Sequence, residues 1–120
     1  MTIQSYRDLR VWQLGMDLTV DLYEQTKSFP ADERYGLTSQ IRRAASSIPA
    51  NIAEGYARGR KEYRQFLKIA AGSLTELETH LMIAQRVGIL RNEDLARLLV
   101  TTEQLGRMLT KLRSSLIPKP

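Results

Sequence analysis

Two long heptad repeats in the second half of the chain constrain its fold most strongly. In the first repeat, the residues spaced alternately four and three apart are Tyr63, Leu67, Ala70, Leu74, Leu77, Leu81 and Ala84. In the second, the residues spaced alternately three and four apart are Leu95, Leu98, Thr102, Leu105, Leu109, Leu112 and Leu116. A hydrophobic period of about 3.5 residues is typical of helices that pack side by side along their length. The repeats therefore predict two long helices, over about 61–87 and 92–116.

Two further helices are predicted upstream, over about 8–27 and 35–57. The first has two adjacent apolar stripes, and it ends before Pro30 because the residue that precedes a proline avoids helical backbone angles. The second is rich in Ala and Ser and contains Pro49, which removes one backbone hydrogen bond. Its apolar spacing continues through the proline, so we expect one helix with a kink near Pro49. Two separate helices are the alternative.

Short connections between these helices determine the expected topology. Gly59 and Gly88 follow the second and third helices, where glycine commonly ends a helix. Asn92 is expected to cap the fourth helix. Because short connections join antiparallel neighbours, the predicted fold is all-α: an elongated, antiparallel up-down-up-down four-helix bundle that forms a single domain over residues 1–120.

Composition excludes several classes of site. The chain of 120 residues has no Cys and one His, which excludes disulfides, cysteine nucleophiles and multi-histidine metal sites. That histidine, His80, lies four residues after Glu76, a spacing that favours an exposed, helix-stabilising pair. No apolar run is long enough for a membrane span, and the first residues do not resemble a signal peptide. We therefore expect a cytoplasmic protein that is not an enzyme and holds no metal or cofactor.

The positive charge of the chain is concentrated in one segment. Residues 34–68 contain 8 basic and 2 acidic side chains, whereas the whole chain has 18 and 13. The densest cluster consists of Arg58, Arg60, Lys61, Arg64 and Lys68. It predicts a surface that binds nucleic-acid phosphates, with Arg42 and Arg43 as further candidates. Tyr56, Tyr63 and Phe66 lie among these cations and could stack on unpaired bases, although Tyr63 and Phe66 also fit the core and the charges also fit a solvated face.

A stripe of polar residues runs beside the apolar face of the second helix. Its members are Gln40, Arg43, Ser47, Asn51, Glu54 and Arg58. Asn51 and Glu54 lie in an otherwise small and apolar segment, and a buried polar group without a partner costs about 1–3 kcal/mol. We interpret the first five members as a hydrogen-bonded network that fixes the register of the helices. A ligand site and a solvated face are the alternatives.

The first helix has a wider apolar face than a monomeric bundle needs. Its second apolar stripe contains Trp12, Met16 and Tyr23, and Trp12 is a large aromatic residue without an evident partner. An interface between copies of the chain would cover this surface. We therefore predict that these three residues form an oligomer interface.

One segment resembles a known family. Residues 35–55 read Tyr-Gly-Leu-Thr-Ser-Gln-Ile-Arg-Arg-Ala-Ala-Ser-Ser-Ile-Pro-Ala-Asn-Ile-Ala-Glu-Gly. Two upstream motifs, Leu9-Arg-Val-Trp and Phe29-Pro-Ala-Asp-Glu, and the stretch over residues 66–79 fit the same pattern. Over about residues 6–90, the sequence resembles the four helix bundle protein family, also called the 23S rRNA intervening-sequence proteins.

The resemblance implies an antiparallel four-helix bundle that assembles into a homopentamer. It also implies a likeness in fold to the accessory variability protein of diversity-generating retroelements, which binds nucleic acid and a reverse transcriptase. The family has no established enzymatic activity. Together with the charge pattern, the resemblance predicts a non-enzymatic homo-oligomer that binds nucleic acid, RNA rather than DNA, through its phosphates. A protein–protein adaptor that binds no nucleic acid is the alternative.

Overall fold

Four long helices account for most of the structure. The computed structural model describes residues 2–118, and its helices are α1 (Arg10–Thr26), α2 (Leu37–Arg58), α3 (Arg60–Arg86) and α4 (Asn92–Ser115). Each helix packs against its neighbours in the chain, and α1 also contacts α4, which closes a bundle of 50 × 24 × 22 Å. The prediction of an elongated, all-α four-helix bundle is confirmed, with helix ends within two residues of those expected. The predicted domain ends, at residues 1 and 120, lie outside the described residues.

The two heptad repeats form the centre of the core. All seven members of the first repeat are buried in α3. Leu98, Thr102, Leu105 and Leu109 of the second are buried in α4. The largest fully buried side chains that α1 and α2 contribute are Leu18, Leu22, Ile41, Ile48 and Ile52. Because burial of one such side chain contributes about 1.5–3 kcal/mol, the apolar seams account for the alignment of the four helices.

The proline in α2 is accommodated by a contact with α1. Helix α2 is continuous through Pro49, so the alternative of two separate helices is wrong, whereas the kink stays a prediction. A proline at this position leaves the Ala45 carbonyl without its usual donor. The Thr19 hydroxyl of α1 lies 3.1 Å from that carbonyl oxygen and 2.8 Å from the Gly15 carbonyl oxygen. A donor from the neighbouring helix therefore replaces the hydrogen bond that the proline removes.

Glycines with left-handed backbone angles end α2 and α3, as predicted. Gly59 has φ 107° between α2 and α3, and Gly88 has φ 86° after α3. The prediction that Asn92 caps α4 is wrong, because Arg91 takes the cap position and Asn92 is the first helical residue. The Asn92 side chain instead accepts a hydrogen bond of 2.6 Å from Gln85 Nε2, which links the ends of α3 and α4.

Candidate nucleic-acid interface

A groove with basic walls lies between the first turns of α3 and the last turns of α4. It has a volume of about 330 Å³, and its lining residues are Lys61, Arg64, Gln65, Lys68, Thr110, Arg113, Ser114 and Ile117. We call this site the basic groove, and its four cations are Lys61, Arg64, Lys68 and Arg113. The groove exists because antiparallel packing places the start of α3 beside the end of α4.

Helical spacing brings the three α3 cations to one side of that helix. Lys61, Arg64 and Lys68 are three and four residues apart, so they share one face. All three are exposed, whereas Tyr63 and Leu67, which alternate with them, are buried in the seam. Because the seam residues of α3 face the core, the cations between them point towards solvent.

Arg113 is a member of the basic groove that sequence reasoning missed. From the sequence, Arg113 is interpreted only as a cation in the last turn of α4, where it complements the negative end of the helix dipole. It follows the seam residue Leu112, and the antiparallel topology brings it next to the α3 cations. The seam register combined with the topology is the signal that identifies it.

Within residues 2–118, no carboxylate forms an ion pair with a cation of the basic groove. Among residues 2–118, the groups that form ion pairs with carboxylates are Lys27, Arg43, Arg58, His80, Arg91 and Arg97. None of these is a member of the groove. Like charges that converge without counter-charges repel one another, and a bound anion removes that repulsion. Two of the four groups are guanidinium groups, which can bind phosphate in a bidentate manner.

Two other predicted cations, Arg58 and Arg60, have partners within the chain. Arg58 Nη2 lies 3.2 Å from Glu54 Oε1, and its guanidinium carbon lies 5.1 Å from the centre of the Phe66 ring. Arg60 Nη2 donates to the Ser115 carbonyl oxygen at 3.2 Å, which ties the start of α3 to the last turn of α4. The structure thus divides the predicted cluster into three groove cations and two residues with intramolecular contacts.

The secondary candidates, Arg42 and Arg43, lie outside the basic groove. Arg42 Nε donates to Thr26 Oγ1 at 2.8 Å, and its guanidinium carbon lies 4.5 Å from the centre of the Tyr23 ring. Arg43 Nη2 lies 3.1 Å from Glu76 Oε2. Arg42 therefore joins α2 to α1, and Arg43 joins α2 to α3.

The aromatic residues near the cluster belong mainly to the core. Tyr63 is buried and meets the Tyr56 ring edge-on, at a centroid distance of 5.8 Å. Its hydroxyl has no hydrogen-bond partner among residues 2–118, and burial raises the pKa of Tyr63 to about 12. Phe66 lies beneath the Arg58 guanidinium. Because no aromatic side chain lines the basic groove, the groove is suited to phosphates rather than to bases.

The polar stripe of α2 is divided into separate contacts. Ser47 Oγ lies 2.8 Å from Ser73 Oγ of α3. Asn51 Nδ2 donates to the Ser47 carbonyl oxygen at 2.7 Å and to Ser47 Oγ at 3.0 Å. Glu54 contacts only Arg58, one turn further along α2, and the exposed Gln40 side chain makes no hydrogen bond within residues 2–118. Ser73 is the network member that sequence reasoning missed.

The predicted interface residues of α1 differ in exposure. Trp12 is only partly exposed and meets the Tyr6 ring edge-on at 5.3 Å, so the view that it lacks a partner is wrong. Tyr6 precedes α1 in a short 3-10 turn, which the sequence pattern did not reveal. Met16 is 39% exposed and Tyr23 is 44% exposed, and Val20 between them is 60% exposed. The open apolar stripe of α1 therefore consists of Met16, Val20 and Tyr23.

The Glu76–His80 pair is present but less exposed than expected. His80 Nε2 lies 3.3 Å from Glu76 Oε2, and the His80 side chain is 16% exposed. The exposed-pair prediction is wrong for His80, whose side chain is mostly covered and whose buried Nδ1 has no hydrogen-bond partner within residues 2–118. Within residues 2–118, no group of three or more Asp, Glu or His residues could hold a metal ion. None of the helices in this part of the chain has both the length and the apolar character that a membrane span requires.

The arrangement of the helices is shared with a solved structure from Bacteroides thetaiotaomicron VPI-5482, described as a protein with unknown function from the S23 ribosomal protein family. The two structures superpose with a TM-score of 0.76 over 86% of this chain and 97% of that chain. Their sequence identity is 20%, so this likeness shows the fold alone. No match was found among curated proteins. Residues 7–111 match the family described as 23S rRNA-intervening sequence protein, as the motif in α2 suggested, and the chain belongs to that family.

Proposed function

We propose that this protein is a non-enzymatic homo-oligomer that binds nucleic acid, RNA in preference to DNA, through the basic groove. The observation that carries the proposal is the convergence of four cations from two helices. Lys61, Arg64 and Lys68 of α3 line one groove with Arg113 of α4. None of them forms an ion pair with a carboxylate within residues 2–118.

The chemistry of the groove favours phosphate contacts without sequence readout. Lysine and arginine neutralise backbone phosphates, and the counter-ions that this releases make such binding strongly dependent on salt. The exposed Ser114 hydroxyl also lines the groove and can contribute a further contact to a phosphate oxygen, whereas Thr110 Oγ1 donates to the Gly106 carbonyl oxygen at 3.0 Å. Contacts of this kind set the position of a nucleic acid but do not identify its bases.

The preference for RNA is supported by the family. Its description refers to a sequence that intervenes in 23S rRNA. An RNA with a folded region offers phosphates of the same strand on several sides, which suits a protein that presents cations in a groove. RNA is therefore the first probe to test against this groove.

Exposed apolar residues on two helices support assembly into an oligomer. Met16 and Val20 form an open stripe on α1, and Ile83 of α3 and Val87, which directly follows α3, are 42% and 63% exposed. A homo-oligomer would cover part of this surface and would bring several basic grooves together. Each copy carries a net charge of +5, so assembly would strengthen the attraction for nucleic acid.

Fluorescence anisotropy with a labelled RNA hairpin and a DNA duplex, each titrated over a range of salt concentrations, tests the proposal. The double variant Arg64→Glu/Lys68→Glu should lower the affinity at least tenfold and reduce the salt slope by about two, one for each cation removed. The matched control is Arg86→Glu, which reverses one exposed charge about 33 Å further along α3. Unchanged affinity in the double variant, or an equal loss in the control, would refute a role for the groove.

A protein–protein adaptor is the second candidate function. It is favoured by the exposed apolar side chains of α3, since Ile69 is 48% exposed in addition to Ile83 and Val87. An adaptor would bind neither probe at low salt. It would retain a specific protein partner after nuclease treatment and lose it when Ile83 and Val87 are replaced by serine.

A further inference from the structure

A second concave surface lies at the opposite end of the bundle, beside the turn that precedes α2. It has a volume of about 460 Å³ and combines tyrosine with arginine side chains. We call it the aromatic–arginine cluster, and its members are Tyr23, Arg34, Tyr35 and Arg42. It lies beside the first turns of α2, whereas the basic groove lies beside the first turns of α3, which follow the end of α2.

The two tyrosines of the cluster are exposed. Tyr35 is 89% exposed, and Tyr23 is 44% exposed. The aromatic residues near the basic groove differ, since Tyr63 is 8% exposed and Phe66 lies beneath Arg58. The surface therefore separates two chemistries, with exposed aromatic rings at one end of the bundle and a basic groove without aromatic rings at the other.

Part of the cluster is held in place before any ligand binds. The Arg42 guanidinium carbon lies 4.5 Å from the centre of the Tyr23 ring. Arg42 is itself fixed by hydrogen bonds to Thr26 Oγ1 at 2.8 Å and to the Tyr23 carbonyl oxygen at 3.3 Å. This ordered pair lines the same concave surface as Arg34 and Tyr35 and forms its fixed wall.

The charge of the cluster is positive. Arg34 forms no ion pair within residues 2–118. The neighbouring carboxylate, Glu33, accepts a hydrogen bond from the Leu37 backbone N–H at 3.1 Å and so caps the start of α2. The exposed Ser39 and Ser46 also line the surface and offer hydroxyl groups. The cluster thus places an available guanidinium next to an open aromatic ring.

We propose that the aromatic–arginine cluster binds an unpaired nucleotide of RNA. The Tyr35 ring stacks on the base, and Arg34 contacts the adjoining phosphate. Aromatic rings and arginine planes are the groups that recognise unstacked bases in single-stranded RNA. This inference rests on the proposed function, because the nucleotide belongs to an RNA whose other phosphates lie in the basic groove. It adds that the protein distinguishes RNA with unpaired residues from a continuous duplex.

The test compares two labelled RNAs with the same number of phosphates: a single-stranded oligoadenylate and a blunt duplex. Tyr35→Ala should lower the affinity for the single strand by about 5- to 150-fold, the effect of removing one base–aromatic stack. It should leave the affinity for the duplex unchanged. The matched variant Tyr35→Phe keeps the ring and should bind both RNAs like the wild type. Since Tyr35 is 89% exposed, neither substitution should alter the fold.

Each other outcome overturns the inference in a recognisable way. If Tyr35→Ala binds the single strand like the wild type, or weakens both RNAs equally, Tyr35 does not stack on a base. A change of molecular mass in Tyr35→Ala by size-exclusion chromatography with light scattering would assign the ring to an interface between copies. If the wild type binds neither RNA at low salt, the proposed function fails together with this inference. If Arg64→Glu/Lys68→Glu abolishes duplex binding but Tyr35→Ala has no effect, only this inference fails.

Discussion

Helices α2 and α4 both lie between α1 and α3, but they pack in different ways. α2 lies close to both neighbours. A Cβ atom added at Gly55 of α2 would lie 2.6 Å from Phe66 Cβ in α3, and one added at Gly15 of α1 would lie 3.5 Å from the Pro49 ring. α4 is less closely packed. Grooves of about 330 and 370 Å³ separate parts of it from α3 and from α1.

The size of the contact residues explains this difference. α2 meets its neighbours through small residues such as Ala44, Ala45 and Gly55, which let the backbones approach. α4 meets them through leucines such as Leu105 and Leu109, which hold the helix axes further apart. Because the axes of α3 and α4 are further apart, the polar residues beside the leucine seam line a groove that solvent can enter. The candidate site accordingly lies on the α4 side of α3, and the tight α2 side serves the stability of the bundle.

Among the substitutions that test this difference in packing, Gly55→Ala is expected to change the free energy of unfolding most. The added methyl group would overlap Phe66 Cβ at 2.6 Å and lie 3.3 Å from Tyr63 Cα, so packing should be strained. We expect a loss of about 1–3 kcal/mol in the free energy of unfolding. Thermal unfolding followed by circular dichroism measures it.

The matched control for Gly55→Ala is Gly106→Ala on the α4 side. There the added Cβ would lie 3.5 Å from Leu74 Cδ2, an ordinary contact. The better helix propensity of alanine should then keep or raise the stability, by up to about 1 kcal/mol. Equal losses at the two glycines would show that α4 is packed as tightly as α2.

A smaller loss is expected from Thr19→Val, which removes the donor beside Pro49. The Ala45 carbonyl oxygen would lose the hydroxyl now 3.1 Å away, and Pro49 supplies no N–H in its place. An unpaired carbonyl of this kind costs about 1–2 kcal/mol. Thr19→Ser keeps the hydroxyl and should unfold at nearly the wild-type urea concentration. Equal midpoints for the Val and Ser variants would mean that the hydroxyl contributes nothing.

Tyr63, which meets Tyr56 on the α2 side of α3, makes the stability of the bundle sensitive to alkali. Burial raises the pKa of its hydroxyl to about 12, above the value of 10.0 for an unperturbed tyrosine. The folded state therefore holds this proton more tightly than the unfolded state. The stability that this bound proton contributes to the folded state is complete below pH 10 and is lost as the pH rises from about 10 towards 12.

The variant Tyr63→Phe isolates that contribution. It also removes a buried hydroxyl without a partner among residues 2–118, so at pH 7 its stability should equal or exceed that of the wild type by about 1 kcal/mol. Between pH 9 and 11, denaturation curves of the variant should shift less than those of the wild type. Parallel shifts would contradict the assignment to Tyr63.

The smallest effect is expected from Asn51→Ala. Asn51 donates only to Ser47, one turn back in the same helix, and alanine has the higher helix propensity. We expect a loss of no more than about 1 kcal/mol in urea unfolding. A loss above about 2 kcal/mol would show that the Ser47–Ser73 contact between α2 and α3 depends on Asn51.

Sequence patterns predicted the elements that local periodicity encodes. The heptad seam from Tyr63 to Ala84 is buried along the whole of α3, and Gly59 and Gly88 end their helices. The expectations for Asn92 and Trp12 were wrong, because their partners, Gln85 and Tyr6, depend on how the chain turns before or after a helix. A capping propensity or a hydrophobic stripe does not identify such partners.

The candidate site was predicted in part. The cluster over 58–68 was evident, but only Lys61, Arg64 and Lys68 line the basic groove. Arg58 forms an ion pair with Glu54, and Arg60 donates a hydrogen bond to the Ser115 carbonyl oxygen. The Arg58–Glu54 pair follows from a spacing of four residues on one helix, whereas the contact of Arg60 with Ser115, 55 residues away, depends on helix packing that charge patterning does not describe.

The helices and the apolar seams follow from spacing over three to seven neighbouring residues, and the antiparallel order follows from short connections, so all three can be read from the chain alone. Only the packing of the helices brings Arg113 beside the α3 cations and leaves Tyr35 exposed. The reason is geometric: Arg113 lies 45 to 52 positions from those cations along the chain, and the exposure of Tyr35 depends on which elements pack around it. The distance between two packed helices, which side-chain size sets, then determines whether a groove stays open.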